Sequence, residues 1–243
     1  YLKLLSKTIN AARQTPGRKV QSVAQASLDA WVKYYRPDEN TANATVSYYA
    51  KGALVALCLD LELRRDGESN LDEVMRALWQ RCQGGPMTEG DLLSVLSELS
   101  GQSFETQLQQ WVHGTDDLPL QTLLESHGVR YDNESAQLSD QLGLRVNETN
   151  GLRIKSVLRD SAAEQAGFAA GDEWLGVEMD TERWRLNKLD DLPMWLGNAT
   201  TCRALISRDQ RLLTLQLVIP KTVNQVKLAV QDDARVTAWL AQK

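Results

Sequence analysis

Residues 47–64 read SYYAKGALVALCLDLELR. Past Gly52 the run is apolar on nearly every side, the pattern of a helix packed inside a protein. Tyr48, Tyr49 and Lys51 nevertheless occupy its first turn, where burial calls for neither a phenol nor an amine. Nothing else in the first half of the chain offers comparable chemistry. The two histidines, His113 and His127, lie fourteen residues apart, and neither begins His-Glu-x-x-His, the i, i+4 imidazole pair that holds zinc. No metal-ligand set is therefore expected. His113 precedes Gly114 near Asp116 and Asp117, and His127 precedes Gly128, so both read as helix-end caps or ion-pair partners. Asp60, Glu62, Asp72 and Glu73 read as exposed helix positions or caps, and Ser6, Ser22 and Ser27 lack the His/Asp partners of a nucleophile.

The elements that would carry these groups fall into two regimes. From residue 1 to about 127 the apolar period is helical. Leu2, Leu5 and Ile9 share one helical face, and the long apolar helix from Ser47 is expected to break at Asp66-Gly67. Asn70 can cap LDEVMRALWQRC, with Glu73 placed for a capping box, before Gly84-Gly85-Pro86 stops it. Thr88 caps EGDLLSVLSELSG, whose Leu92, Leu93, Leu96 and Leu99 form a stripe; Ser103 opens a further helix, and Pro119 opens a short one closed by Gly128. Beyond Gly128 the period changes. LGLRV, LRIKSVL, EWLGVEM, CRALISR and LLTLQLVI alternate like strands, interrupted by the short helical runs SAAEQAG and LDDLPMWLG. The closing NQVKLAVQDDARVTAWLAQK reads as a strand or linker and then a helix with Val236, Trp239 and Leu240 on one face.

Composition bounds the function. Hydrophobic content of 42% and charged content of 24% are those of an ordinary soluble globular protein, and a formal charge of −5 argues against a general nucleic-acid binder. The opening is locally basic. Residues 1–36 carry Lys3, Lys7, Arg13, Arg18, Lys19, Lys33 and Arg36 against Asp29 alone, which reads as a solvated face or a surface docked on something acidic. Cys58, Cys82 and Cys202 show no paired spacing, and the first two lie in apolar helical patterns, so buried free thiols and a cytoplasmic, reducing location are expected. No apolar run of about twenty residues is available to span a membrane. The chain opens in mid-pattern, which reads as a cut from something longer. Four Asn-x-Ser/Thr triplets, at Asn43, Asn133, Asn147 and Asn198, are about what chance supplies.

The run LGLRVNETNGLRIKSVLRDSAAEQAGFAAGDEWLGVEM resembles the PDZ domains attached to bacterial proteases. The matching positions are Gln141-Leu142-Gly143-Leu144, then Asp160-Ser161-Ala162-Ala163, Ala166-Gly167-Phe168 and Gly171-Asp172. Alanine stands where a proline is usual after Ser161, and VEMDTERW replaces the usual turn after the Gly-Asp strand. The resemblance implies a module that takes up an extended peptide or a protein terminus at a sheet edge. Gly143 would let backbone N–H groups approach a terminal carboxylate, with Gln141 in the same loop and Leu142 and Leu144 lining the pocket. Leu189, Leu192, Trp195 and Leu196 would supply the opposite wall. The alternative for each of these leucines is plain core.

Tyr48-Tyr49-Ala50-Lys51-Gly52 resembles the Tyr-x-Lys-Gly sequence that opens a buried helix in zinc aminopeptidases of the thermolysin-like clan. The order SLDAW, YYRPDEN, SYYAKGALVALCLDLELR, NLDEVMRALW, WVHGTDDLPL and then a PDZ-like run is similar to the C-terminal half of the glycyl aminopeptidase family of zinc metallopeptidases. By that resemblance the Tyr49 hydroxyl donates to the oxyanion of a tetrahedral intermediate. A neutral phenol suits this because it meets developing negative charge without titrating at pH 7. Lys51 and Gly52 would be structural, the glycine allowing close packing where the helix begins. Zinc is expected in the intact parent, upstream of this chain; the chain alone should hold none and be inactive. The basic opening segment would then pack on the missing zinc domain.

The resulting expectation is an α plus α/β multidomain protein. It comprises an all-helical thermolysin-like subdomain over 1–127, a PDZ-like sandwich or barrel with two short helices over 128–222, and a linker and helix over 223–243. Its function would be part of a zinc-dependent aminopeptidase, contributing a transition-state tyrosine, one wall of the active-site cleft and a peptide-binding module. The alternative is a non-catalytic peptide-binding scaffold.

Overall fold

Leu5 and Ile9, one helical turn apart, are buried from α1 (Leu2–Arg13) into the first of two hydrophobic cores. The computed structural model describes residues 1–66, 69–221 and 223–241. After a single 3-10 turn at Pro16–Lys19, Ser22 starts α2 (Val23–Leu28) through a complete capping box with Gln25. Turns and the short α3 (Thr41–Ala44) lead to α4 (Tyr48–Asp66), whose first turn is held by Ser47 Oγ accepting from the Ala50 N–H at 3.2 Å. Leu54, Val55, Leu57, Cys58, Leu59, Leu61 and Leu63 are all buried, so α4 is the axis of the helical half. It ends at Asp66 as expected; Gly67 lies outside the described residues.

Asn70 caps α5 (Leu71–Cys82) by accepting from the Glu73 N–H at 3.0 Å, and the helix closes on Gln83 in the left-handed region. Asp60 and Glu62 correct their sequence reading. Their side chains are only 16% and 15% exposed. Asp60 accepts from Arg64 at 2.8 Å and from the Leu71 N–H at 2.9 Å, so it ties the middle of α4 to the start of α5. Thr88 and Asp91 form the capping box of α6 (Glu89–Ser100). The helix expected from Ser103 is shorter in its α form: α7 (Glu105–Leu108) loosens into a π turn over Gln109–His113. His113 Nε2 meets Glu89 Oε2 at 2.7 Å, a carboxylate from another helix and not the neighbouring aspartates. His127 Nδ1 donates to the Leu123 carbonyl at 2.8 Å, closing α8 (Leu120–Ser126).

An element not expected from the sequence follows. β1 (Val129–Ser135) crosses to the far end of the chain, while α9 (Leu138–Leu142) leads into a six-stranded antiparallel sheet. That sheet is built from β2 (Leu144–Asn147), β3 (Arg153–Val157), β4 (Glu173–Met179), β5 (Glu182–Arg185), β6 (Thr201–Arg208) and β7 (Arg211–Val218). Its order is β2-β3-β4-β6-β7, with β5 paired on β4. α10 (Ala162–Ala166) lies between β3 and β4, and α11 (Leu192–Leu196) between β5 and β6. β8 (Asn224–Val230) then pairs antiparallel with all seven residues of β1, from Val129 opposite Val230 to Ser135 opposite Asn224.

This ribbon and α12 (Asp233–Leu240) belong with the helices, because Val129, Val226, Leu228, Val236 and Trp239 are buried in the first core. Leu240, expected on the same buried face, is 46% exposed. Asn10 bonds both the N–H and the carbonyl of Val226, at 2.7 and 2.8 Å, and Ser6 Oγ accepts from the Leu228 N–H at 3.0 Å, so α1 clamps β8. The second core spans Leu142 to Leu217 and closes around Trp174, Ile154 and Leu192. The two halves also meet at Asn43. Its buried amide donates to the Val157 carbonyl and accepts from the Arg159 N–H, both at 2.8 Å. The architecture is mixed α and β, with helices and antiparallel sheets.

Candidate active-site face

Tyr49 stands on the exposed side of the first turn of α4 and is 59% accessible. It is not isolated. Tyr35, from the turn after α2, places its hydroxyl 2.9 Å from the Tyr49 hydroxyl and 3.1 Å from that of Tyr48. The rings of Tyr48 and Tyr49 lie 4.3 Å apart, Tyr34 packs edge-on to Tyr48 at 5.2 Å, and Trp31 lies against Tyr35 at 5.1 Å. Four phenols therefore share one surface. Hydrogen bonds from Tyr35 first and Tyr48 second favour the Tyr49 oxyanion and hold its pKa below the ordinary tyrosine value, while Tyr48 is pushed well above it. A phenol biased this way is a stronger donor to incoming negative charge.

Tyr34 and Tyr35 were not singled out by the sequence reading. The one available signal was the repetition of a Tyr-Tyr pair at 34–35 and again at 48–49. Their partnership is a contact between two turns, and no periodicity encodes it. Trp31, which packs on Tyr35, is 79% exposed, and its sequence neighbours Leu28 and Val32 are 85 and 69% exposed.

Lys51 is placed about 200° round the helix from Tyr49, at roughly 100° per residue, and is accordingly buried. Gly52 departs from its expected role. A Cβ added there would meet nothing within 4 Å, so no close packing requires glycine in this chain. Gly52→Ala should raise the stability of the chain by about 0.5–1 kcal/mol through its helix propensity. An unchanged or lowered urea midpoint at constant m-value would refute this.

Of the residues singled out for peptide binding, the four leucines lie together in the second core, and Gln141 and Gly143 lie at a cleft. Leu142, Leu144 and Leu192 are 0% exposed and Leu196 is 8%, all members of the second core. Gly143 is in the left-handed region at φ 72°, and an added Cβ would lie 2.2 Å from Ser161 Cβ, so local packing against the start of α10 already demands glycine. Gln141 donates to the Ala136 carbonyl at 2.6 Å. Gln141 and Gly143 do line a cleft of about 610 Å³ between the two halves, beside Arg13, Arg18, Arg159 and Asp160. β2 ends the sheet and has no second strand partner among the described residues.

Among the described residues no group of three or more His, Cys, Asp or Glu is placed to hold a metal. Cys58 and Cys202 are buried and Cys82 half-buried, all three unbridged; burial pushes the Cys58 thiol up to about 12 and that of Cys202 up to about 11. No described helix is long and apolar enough to cross a membrane.

Residues 1–55, which contain all four tyrosines of the cluster, match the family model of M61 glycyl aminopeptidase. The whole chain is similar to an aminopeptidase N family protein from Idiomarina loihiensis, with a TM-score of 0.86, 27% sequence identity and 100% of this chain covered. It spans 44% of that protein's length. No curated protein matches the chain. These findings are consistent with the C-terminal part of the M61 family, as the sequence resemblance implied.

Proposed function

We propose that the chain is the C-terminal part of an aminopeptidase, in which Tyr49 donates a hydrogen bond to the oxyanion that forms as a peptide carbonyl is attacked. The observation that carries this reading is the open tyrosine cluster: the Tyr49 hydroxyl faces outward, and Tyr35 and Tyr48 hold it as the phenol with the lowered pKa. A donor helps catalysis when it is already aimed at the place where charge will develop. Ring stacking and two neighbouring hydroxyls fix the aim here. Gly52, one turn further along α4, leaves the adjacent backbone clear for a substrate or another polypeptide to approach. Zinc, expected from the family resemblance, would polarise the carbonyl in the intact protein; its ligands would have to come from residues outside this chain. The reading is tested by Tyr49→Phe in the full-length protein, assayed on substrates with amino-terminal glycine or alanine. Retained turnover would overturn it.

A second reading concerns the sheet of the second half, which we read as a PDZ-like peptide-binding module. It rests on the free edge of β2, where an extended peptide could add as a further strand, and no longer on the buried leucines. Labelled peptides with a free terminal carboxylate should bind with a Kd below about 1 mM and lose at least tenfold on amidation. Equal affinity for the free and amidated forms, or no binding, would remove terminal-carboxylate recognition.

A further inference from the structure

Lys51 is 5% exposed, and its Nζ has no hydrogen-bond partner. It lines a cavity of about 240 Å³, roughly eight times the ~30 Å³ share of a liquid water. Ala12, Leu54, Leu118 and Leu120 give that cavity apolar wall, and Arg13 and Arg18 add positive charge. The groups that would ordinarily satisfy the amine are committed elsewhere. Asp117 pairs with Arg18 and, at 2.8 Å, with Lys19. The Tyr131 hydroxyl accepts from Arg13 at 2.9 Å. Asp116 is exposed. A buried amine left unpaired is costly, and a fold that keeps one beside an open volume has room for its missing partner.

We propose that this cavity binds a small organic carboxylate, its charged end paired with Lys51 Nζ and its apolar body against Leu54, Leu118 and Leu120. The Lys51 amine beside the aliphatic groups of Ala12, Leu54, Leu118 and Leu120 matches a carboxylate with a hydrocarbon body; Arg18 and Arg13, engaged by Asp117 and Tyr131, do not add the further free donors that a phosphate calls for. The cavity lies on the face of α4 opposite Tyr49, so the proposal stands whether or not Tyr49 is catalytic.

The charges facing Lys51 set the expected titration. They are Arg13 from α1, Arg18 and Lys19 from the 3-10 turn, Asp116 and Asp117 from the loop before α8, and Tyr131 from β1. Burial lowers the Lys51 pKa below the ordinary lysine value, Asp117 pulls it back up, and Arg18 and Lys19 push it down again. A bound carboxylate favours the protonated amine and must raise the titration midpoint.

The test uses the full chain labelled with ¹³Cε-lysine and titrated by NMR alone, with isovalerate, with its neutral amide isovaleramide, and with inorganic phosphate. Lys51→Met assigns the resonance. Isovalerate at saturation should raise the Lys51 midpoint by about one pH unit, a tenfold change in proton affinity. Isovaleramide and phosphate should leave it in place, and calorimetry should show isovalerate affinity at least tenfold weaker in Lys51→Met. A midpoint unmoved by isovalerate, or moved as far by phosphate, overturns the proposal. So does equal isovalerate binding by Lys51→Met. If that variant does not fold, Lys51→Arg assigns the resonance instead and the titrations of the unaltered chain decide.

Discussion

Tyr49→Phe in the full-length protein is expected to lower kcat on amino-terminal glycine or alanine substrates by roughly a hundredfold or more, with KM little changed. Removing one preorganised oxyanion donor typically costs about 10²–10³ in kcat. Because the bond is made only as charge develops, the loss belongs in kcat and not in ground-state binding. Stability should hardly move. The hydroxyl is on a residue 59% exposed, and phenylalanine keeps the ring contact with Tyr48 at 4.3 Å. Surface changes of this kind stay within about 0.5 kcal/mol. pH supplies an independent check. A phenol donates only while protonated, so activity should fall as pH rises through the Tyr49 pKa, and that alkaline limb should lie below the ordinary tyrosine value. Tyr35→Phe removes the leading cause of the lowering, and the limb should therefore move upward. Wild-type turnover in Tyr49→Phe, or a limb indifferent to Tyr35, would exclude the phenol from the reaction.

The part of this site legible in the sequence is the part carried by one element. Tyr49 and the buried body of α4 lie within eighteen residues, where helical period and an anomalous first turn are both visible. The Asn70 and Thr88 caps were legible for the same reason, since each spans three residues of chain. What escaped depends on contacts across long separations. β1 pairs with β8 nearly a hundred residues on, and its VRYDNES sequence has too little apolar alternation to announce a strand. Tyr35 reaches Tyr49 from another turn. Hydrophobic pattern also cannot distinguish a leucine that lines a groove from one that fills a core. Leu142, Leu144 and Leu192 are fully buried, a result equally compatible with the periodicity that nominated them. Gly143 and Gly52 show the same ambiguity in opposite directions, the first crowded by Ser161 and the second facing open space.

Arg208→Ala should destabilise the second core by about 3–5 kcal/mol, the largest stability loss expected from a single exposed-edge substitution in this chain. Asp172 is 0% exposed. Arg208 grips both its oxygens, Nε to Oδ1 at 2.7 Å and Nη2 to Oδ2 at 2.8 Å, and also donates to the Gly167 carbonyl at 2.7 Å. Asp172 in turn accepts from the Ala169 N–H at 2.8 Å. The pair thus fastens the Gly-Asp turn, between α10 and β4, to the end of β6. Removing the guanidinium leaves a carboxylate buried with one backbone donor, and the penalty is chiefly that uncompensated charge. Arg208→Lys should recover only part of the loss, because an ammonium cannot reproduce the two-pronged geometry. The decisive variant is the double one. Asp172→Asn with Arg208→Ala removes the charge as well as its partner, so it should be more stable than Arg208→Ala alone, a non-additivity that no loss of aliphatic packing would produce. In thermal unfolding, 3–5 kcal/mol corresponds to roughly 6–20 °C for a chain of this size. A drop of only a degree or two, or a double variant no better than the single, would mean that the turn is held by its backbone bonds and that the buried ion pair contributes little.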